Sequence, residues 1–161
     1  MTELGTAHTV APSDPDVIAL DRVVLTYDAR FLRRKVLRTE TGDRLLVDLP
    51  QTTSVNAESC FVLADGSRVA VIAASEPLLA ITGPDLVRLA WHIGNRHCPC
   101  QLETQRLLIG RDHVMRKMLE QLGAVVAEVC EPFTPEGGAY GHGRTHGHDP
   151  SAMHGPHDHD H

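Results

Sequence analysis

The sequence predicts an α+β protein in four parts. These are a flexible leader over residues 1–16, a small N-terminal β domain over 17–75, a ferredoxin-like βαββαβ domain over 76–131, and a disordered His-rich tail over 132–161. Three observations predict this. Short apolar runs broken by turn signals fill the stretch from Val17 to Ala74. Two segments with apolar residues at helical spacing follow, each behind a capping signal and each flanked by strand-like runs. After Pro132 the periodicity stops, and Gly, Pro, His and Asp dominate. Hydrophobic residues make up 42% of the 161, enough to bury a core, but only 4% are aromatic, so that core must be mostly Leu, Val, Ile and Ala.

Met1 to Asp16 is polar and carries Pro12 and Pro15, which reads as a leader. Val23 to Leu25, Val36-Leu37 and Leu45 to Leu49 are the first apolar runs. Phe61 to Leu63 and Val69 to Ala73 flank Asp65-Gly66, a strong hairpin signal, so five or six strands are expected before residue 75. Leu78 to Thr82 suits a short strand. In Gly83-Pro84-Asp85, Gly83 can cap a helix, Pro84 fits its first position and Asp85 suits the positive end of its dipole. Leu86, Leu89, Ala90 and Ile93 give the apolar stripe, and Gly94-Asn95 ends or loosens it. Strands are expected near Gln101 to Glu103 and Arg106 to Ile109. Asp112 caps a second helix with Val114, Met115, Met118, Leu119 and Leu122 on its apolar face. Gly123 stands where a left-handed residue closes a helix, and Ala124 to Val129 is a last strand.

The formal charge is −6 with no basic stripe apparent, which argues against nucleic-acid binding, an affinity that comes from neutralising phosphates. No run of about 18 apolar residues could span a bilayer. No charged start with an apolar core marks a signal peptide, so a cytoplasmic protein is expected, with no membrane partner. Cys60, Cys98, Cys100 and Cys130 are then expected as thiols. No His-Glu-x-x-His helix, Ser nucleophile elbow or phosphate-binding glycine loop is present, so no enzyme is expected.

Histidine is the informative residue. Of eleven, seven lie in the last twenty positions: His142, His146, His148, His154, His157, His159 and His161. Neutral imidazole suits nickel, copper and zinc. Neighbours two residues apart can reach one ion without a preformed fold, and Asp149, Asp158 and Asp160 could add carboxylates. Such a tail predicts several weak, exchangeable sites, suited to storage or transfer. Elsewhere, His97 lies eleven residues after Leu86, close to three helical turns, and extends the stripe of Leu86, Ala90 and Ile93. His92 falls off that stripe, and His113 opens the second helix.

Trp91-His92-Ile93-Gly94-Asn95-Arg96-His97 followed by Pro99, then Asp112-His113-Val114 with Met118-Leu119 and Leu122-Gly123, then Pro132-Phe133 with Pro135-Glu136-Gly137-Gly138-Ala139-Tyr140-Gly141 before a His-rich end, resemble the UreE family of urease accessory proteins, which are nickel metallochaperones. The resemblance runs from about Val17 to the C-terminus. It implies a polypeptide-binding β domain and a ferredoxin-like metal-binding domain. It also implies a homodimer in which His97 from both chains holds one interfacial metal, with tail histidines completing the shell, metal binding at His113 as in some members, and weaker binding at His92. The implied cargo is Ni2+, with Zn2+ or Cu2+ also able to bind. The implied partners are the urease apoprotein complex and its accessory GTPase, UreG. Arg111 stands where some relatives have another histidine, and Cys98 and Cys100 where they commonly have apolar residues. The two cysteines read either as small buried side chains or as additional thiolate ligands beside His97.

The expected function is thus donation of nickel during assembly of the urease active site. The alternative is a cytoplasmic nickel or zinc storage or buffering protein without a dedicated client.

Overall fold

The computed structural model describes residues 2–137. It is a mixed α+β structure in which ten strands and two helices follow one another as β1–β7, α1, β8, β9, α2 and β10 among the described residues. The first six strands are Glu3–Pro12, Asp21–Leu25, Phe31–Arg38, Arg44–Ser54, Ser59–Leu63 and Arg68–Ala73 (β1 to β6). They form one sheet in the order β2-β6-β5-β1-β4-β3. Phe61, Leu45, Val23, Val47 and Val69 are fully buried in its core, which draws on all six strands. The Asp65-Gly66 turn joins β5 to β6 as expected: Asp65 accepts from Ser67 N–H, and Gly66 takes φ +86°.

The leader expectation is overturned. Residues 3–12 are a strand, and a central one, paired parallel to β4 and antiparallel to β5. The segment hides its nature because register shifts lie between Glu3 and Gly5 and between Ala7 and Thr9, so no period of two survives. Gly5, at φ +116°, supplies the first irregularity. Ala7 is fully buried in the core of this sheet. Two pairing neighbours outweigh weak local propensity.

The second unit is β7 (Ser75–Thr82), α1 (Leu86–Asn95), β8 (Gln101–Leu102), β9 (Leu107–Gly110), α2 (His113–Gln121) and β10 (Val125–Pro132). Its four strands pair antiparallel in the order β10-β7-β9-β8. Strand alternation sends Leu79, Ile81, Leu107 and Ile109 into a core with Leu89 and Ile93 of α1 and Met115 and Leu119 of α2. Leu78, Ala80 and Leu108 project to the opposite face, where they meet Phe133 and Tyr27.

Three further expectations need correction. Asp85, not Gly83, caps α1, its carboxylate accepting from Arg88 N–H at 3.1 Å. Gly83 serves packing instead: a Cβ there would stand 3.3 Å from the Leu89 side chain. The helical stripe also does not reach His97, because α1 ends at Asn95 and Arg96 is its C-cap. Finally, the non-periodic tail does not begin at Pro132. Pro132 ends β10, and Phe133 is 3% exposed, a burial worth about 1.5–3 kcal/mol. A single aromatic anchor carries no periodicity, so spacing could not reveal it.

No helix among the described residues is long and apolar enough to cross a membrane.

Candidate metal site and interdomain cleft

His97 is built by the way α1 stops. Its N–H donates to Gly94 O at 3.0 Å, and the next N–H, of Cys98, donates to Ile93 O at 3.3 Å. These two bonds are the Schellman closure, in which the residue after the C-cap must be left-handed. That residue is His97, at φ +56°, the sole non-glycine with positive φ among the described residues. A left-handed L-residue costs about 1–2 kcal/mol, and such strain collects at functional positions. In return the imidazole is thrown clear of the helix and is exposed, rather than packed as an extension of its stripe.

His97 lines a cleft of about 700 Å3 between the two units. The first unit contributes Tyr27, Arg30, Val55 and Glu58; the second contributes Ala90, Cys98 and Cys100. The chain leaving β10 closes the cleft with Thr134, Pro135, Glu136 and Gly137. Arg30, 3% exposed, ties the units together: its guanidinium donates to Leu25 O at 3.0 Å and to Phe133 O at 2.5 Å. It also stands 5.8 Å from the Tyr27 ring, which meets Phe133 edge-on at 5.5 Å. Tyr27 N–H donates to Glu76 Oε2 at 2.8 Å.

The outgoing segment is fastened a second time. Gln101 Oε1 accepts from Thr134 N–H at 2.9 Å, and Cys100 O accepts from Glu136 N–H at 2.8 Å. Gln101 Nε2 in turn donates to Glu103, Glu103 accepts from Arg106, and Arg106 grips Glu131 with two bonds of 2.8 and 2.6 Å. Those bonds hold the Glu131 carboxyl below the usual range. The last described residues are thus pinned on the same cleft as His97. Sequence reasoning missed Gln101, Arg30 and Tyr27, because each acts across the fold and none has local spacing to betray it.

The other candidates are placed less centrally. His92 is half-buried on α1, its ring perpendicular to Trp91 at 5.0 Å between centroids. His113 is exposed as the first residue of α2, beside the capping Asp112, which accepts from Val114 and Met115 N–H. Arg111 is occupied with Leu78 O and Val129 O. Cys98 and Cys100 belong to or pack against the core of the second unit. Burial raises both thiols, Cys98 with help from the Asp112 charge and Cys100 to about 12 with help from Cys98, so both are protonated at neutral pH before any metal arrives. Among the described residues no three His, Cys, Asp or Glu side chains gather in a ready-made metal site. His142, His146, His148, His154, His157, His159 and His161 lie outside the described residues. Among the described residues His97 is therefore the one histidine on the cleft, an exposed imidazole held on a fixed backbone turn.

Two family models match the chain: the N-terminal domain of the UreE urease accessory protein over residues 2–74, and its C-terminal domain over residues 69–161. Among curated relatives, a protein of a Ruegeria species named urease accessory protein UreE is 67% identical over 126 residues, which is 78% of this chain and 72% of that one. One of the same name from Ruegeria pomeroyi is 65% identical over 128 residues, 80% of this chain and 86% of its own. Another from Rhodobacter capsulatus is 51% identical over 156 residues, 97% of each chain.

Proposed function

The chain belongs to the UreE family of urease accessory proteins, with a role in urease maturation, and from that membership we propose that it carries Ni2+ and donates it to the urease active site. The observation that carries the proposal is His97: a left-handed imidazole at the end of α1, exposed on a cleft where the root of the His-rich tail is pinned.

One imidazole is a weak site, so the ligand set is completed in two ways. A two-fold partner brings a second His97 to the same ion. Val87 and Trp91, 84% and 63% exposed and one turn apart on α1, support such a homodimer, because they leave an apolar face on the helix that ends at His97. The tail then supplies further imidazoles from His142, His146 and His148 onward, within reach of Gly137. The remaining tail histidines load and exchange ions, with His113 and His92 as weaker side sites. Zn2+ and Cu2+ fit the same donors. Cys98 and Cys100 are packing residues in this reading, not ligands. The β-α-β-β-α-β order and antiparallel sheet support a ferredoxin-like reading of the second unit, a rigid platform for the donor. The cargo passes to the urease apoprotein complex with the GTPase UreG, in the cytoplasm, without catalytic turnover by this chain.

The test is calorimetric nickel titration of His97→Ala in the chain ended at Gly141, which keeps every described residue. Loss of the tight site is expected, together with loss of nickel transfer to apo-urease by the full-length variant. Undiminished tight binding would place the metal elsewhere, with His113 and His92 the next residues to replace.

A further inference from the structure

The edge strand β3 does not obey the alternation of its own sheet. Arg33, Arg34, Lys35 and Val36 are exposed in succession, whereas a strand over a core buries every second side chain. The break follows a register shift against β4 between Leu32 and Arg34, and burial resumes at Leu37. Among the described residues β3 pairs in a sheet with β4 alone, and its outer edge is open along Arg33 to Val36, before Glu40 N–H donates to Arg22 O of β2 at 2.8 Å. That open strand is basic. Arg33, Arg34, Lys35 and Arg38 fall within eight residues without one acid, in a chain whose net charge is −6. Arg34 stands opposite Asp48 of β4, but Arg38 stands directly opposite Arg44, a like-charge cross-strand pair, which opposes pairing. Neither guanidinium, nor Lys35, has an ion pair among the described residues. The sequence reading saw no basic stripe because a net charge averages this strand away.

Charged side chains on an edge strand can serve only to blunt it against aggregation. Blunting is achieved by one or two such charges and does not require facing arginines, whose repulsion an added anion would relieve. The strand also points somewhere. It begins one residue after Arg30, which lines the cleft with His97, and its eight residues carry the basic track about 27 Å away from there.

We infer that the open edge of β3 docks an acidic, extended segment of a partner protein by strand addition, with carboxylates against Arg34, Lys35, Arg38 and Arg44 and one end of the segment led to the His97 cleft. Main-chain hydrogen bonds to the free edge supply sequence-independent affinity, and the basic side chains select for acid. A nucleic acid would use the charges but not the edge, and the chain's overall negative charge opposes it. The docking is independent of which metal His97 carries.

The test uses the full-length protein and a fluorescent peptide of about a dozen residues alternating Glu and Val. Binding should be measurable by anisotropy at low salt and should fall as salt rises. It should weaken about tenfold or more in Arg34→Glu/Lys35→Glu and persist in Arg34→Lys/Lys35→Arg. Both positions are exposed, so circular dichroism should find both variants folded. Amide exchange should slow along residues 33–36 when the peptide binds. The inference is overturned if the peptide does not bind, if the charge reversal leaves its affinity unchanged, or if protection appears elsewhere. Tighter binding of a single-stranded oligonucleotide of equal charge would make the track a nucleic-acid surface instead. A tenfold gain in peptide affinity on removing residues 142–161 would make the tail of this chain its occupant.

Discussion

After α2 the chain reverses through Gly123 at φ +92°, and after α1 through His97 at φ +56°. The two turns are otherwise the same device. Ala124 N–H donates to Leu119 O and Gly123 N–H to Glu120 O, matching Cys98 to Ile93 and His97 to Gly94. Both helices lie on one core, and Ala124 and Cys98, which follow the left-handed residues, both pack there. Glycine is what a Schellman closure selects on stability alone. Histidine in the equivalent place gives up local stability and gains an imidazole held on rigid backbone at the lip of a cleft. The difference separates a turn that only ends a helix from one that also presents an exposed imidazole.

The largest expected effect comes from removing the presented group. His97→Gly should convert the first turn into the second: the tight nickel site should disappear from the chain ended at Gly141, while the melting temperature holds or rises. Relief of the left-handed strain is worth about 1 kcal/mol, partly offset by the greater freedom of glycine in the unfolded chain. Titration calorimetry and thermal denaturation of one variant thus read function and stability with opposite signs. A fall in stability with the tight site retained would mean that His97 packs rather than presents. In the wild type the same nickel should leave as the solution is acidified, since histidine must be neutral to bind. Nickel held at pH 4.5 would point to other donors.

The reciprocal exchange should be the next largest. Gly123→His places a side chain into open space, because no atom lies within 4 Å of a Cβ built there. Its cost is therefore conformational alone, about 1–2 kcal/mol, read by urea denaturation. No metal should be gained, since the cleft and the tail root lie at the other turn. A cost near zero would show that positive φ is cheap for histidine in this fold, and the strain at His97 would cease to mark function.

These turns also show what the sequence could reveal. Gly123 and Asp112 were legible because each is a residue type with one strong local use, and both took the roles expected. Asp65-Gly66 was legible for the same reason. The left-handed conformation of His97 was not legible. Helical spacing runs past the helix end unless something marks the stop, and Gly94-Asn95 lie inside α1 rather than after it. Strand β1 was missed because its bulges erase alternation, and Phe133 because one buried aromatic has no period. Gln101 and Arg30 act on main chain 33 and 103 residues away, a relation that no window along the chain contains.

Gln101 gives the third contrast, since only the His97 turn has a pinned outgoing chain beside it. Gln101→Ala should leave His97 in place but free Thr134 and its neighbours. The expected result is a severalfold weaker interfacial nickel site in the full-length protein, with the chain ended at Gly141 far less affected. Equal losses in both would assign Gln101 to the fold and not to delivery of the tail.

The smallest effect should come from the residues after the turn. Cys98 follows His97 as Ala124 follows Gly123, so Cys98→Ala copies a side chain already proven in that geometry against the same core. Cys100 is 9% exposed, its thiol pushed up to about 12, and its Sγ–H donates only to Gln101 O at 3.8 Å. Neither thiol is poised to lose its proton near neutrality, and only a thiolate is a strong ligand. Replacing both with Ala should therefore leave nickel affinity within about a factor of three, well under 1.4 kcal/mol. Stability should fall by about 1 kcal/mol for the sulfur volume lost from the core. Nickel titration and urea denaturation of the double variant separate the two roles. A tenfold loss of affinity at unchanged stability would make the cysteines ligands, and the turn after α1 would then present three donors where the turn after α2 presents none.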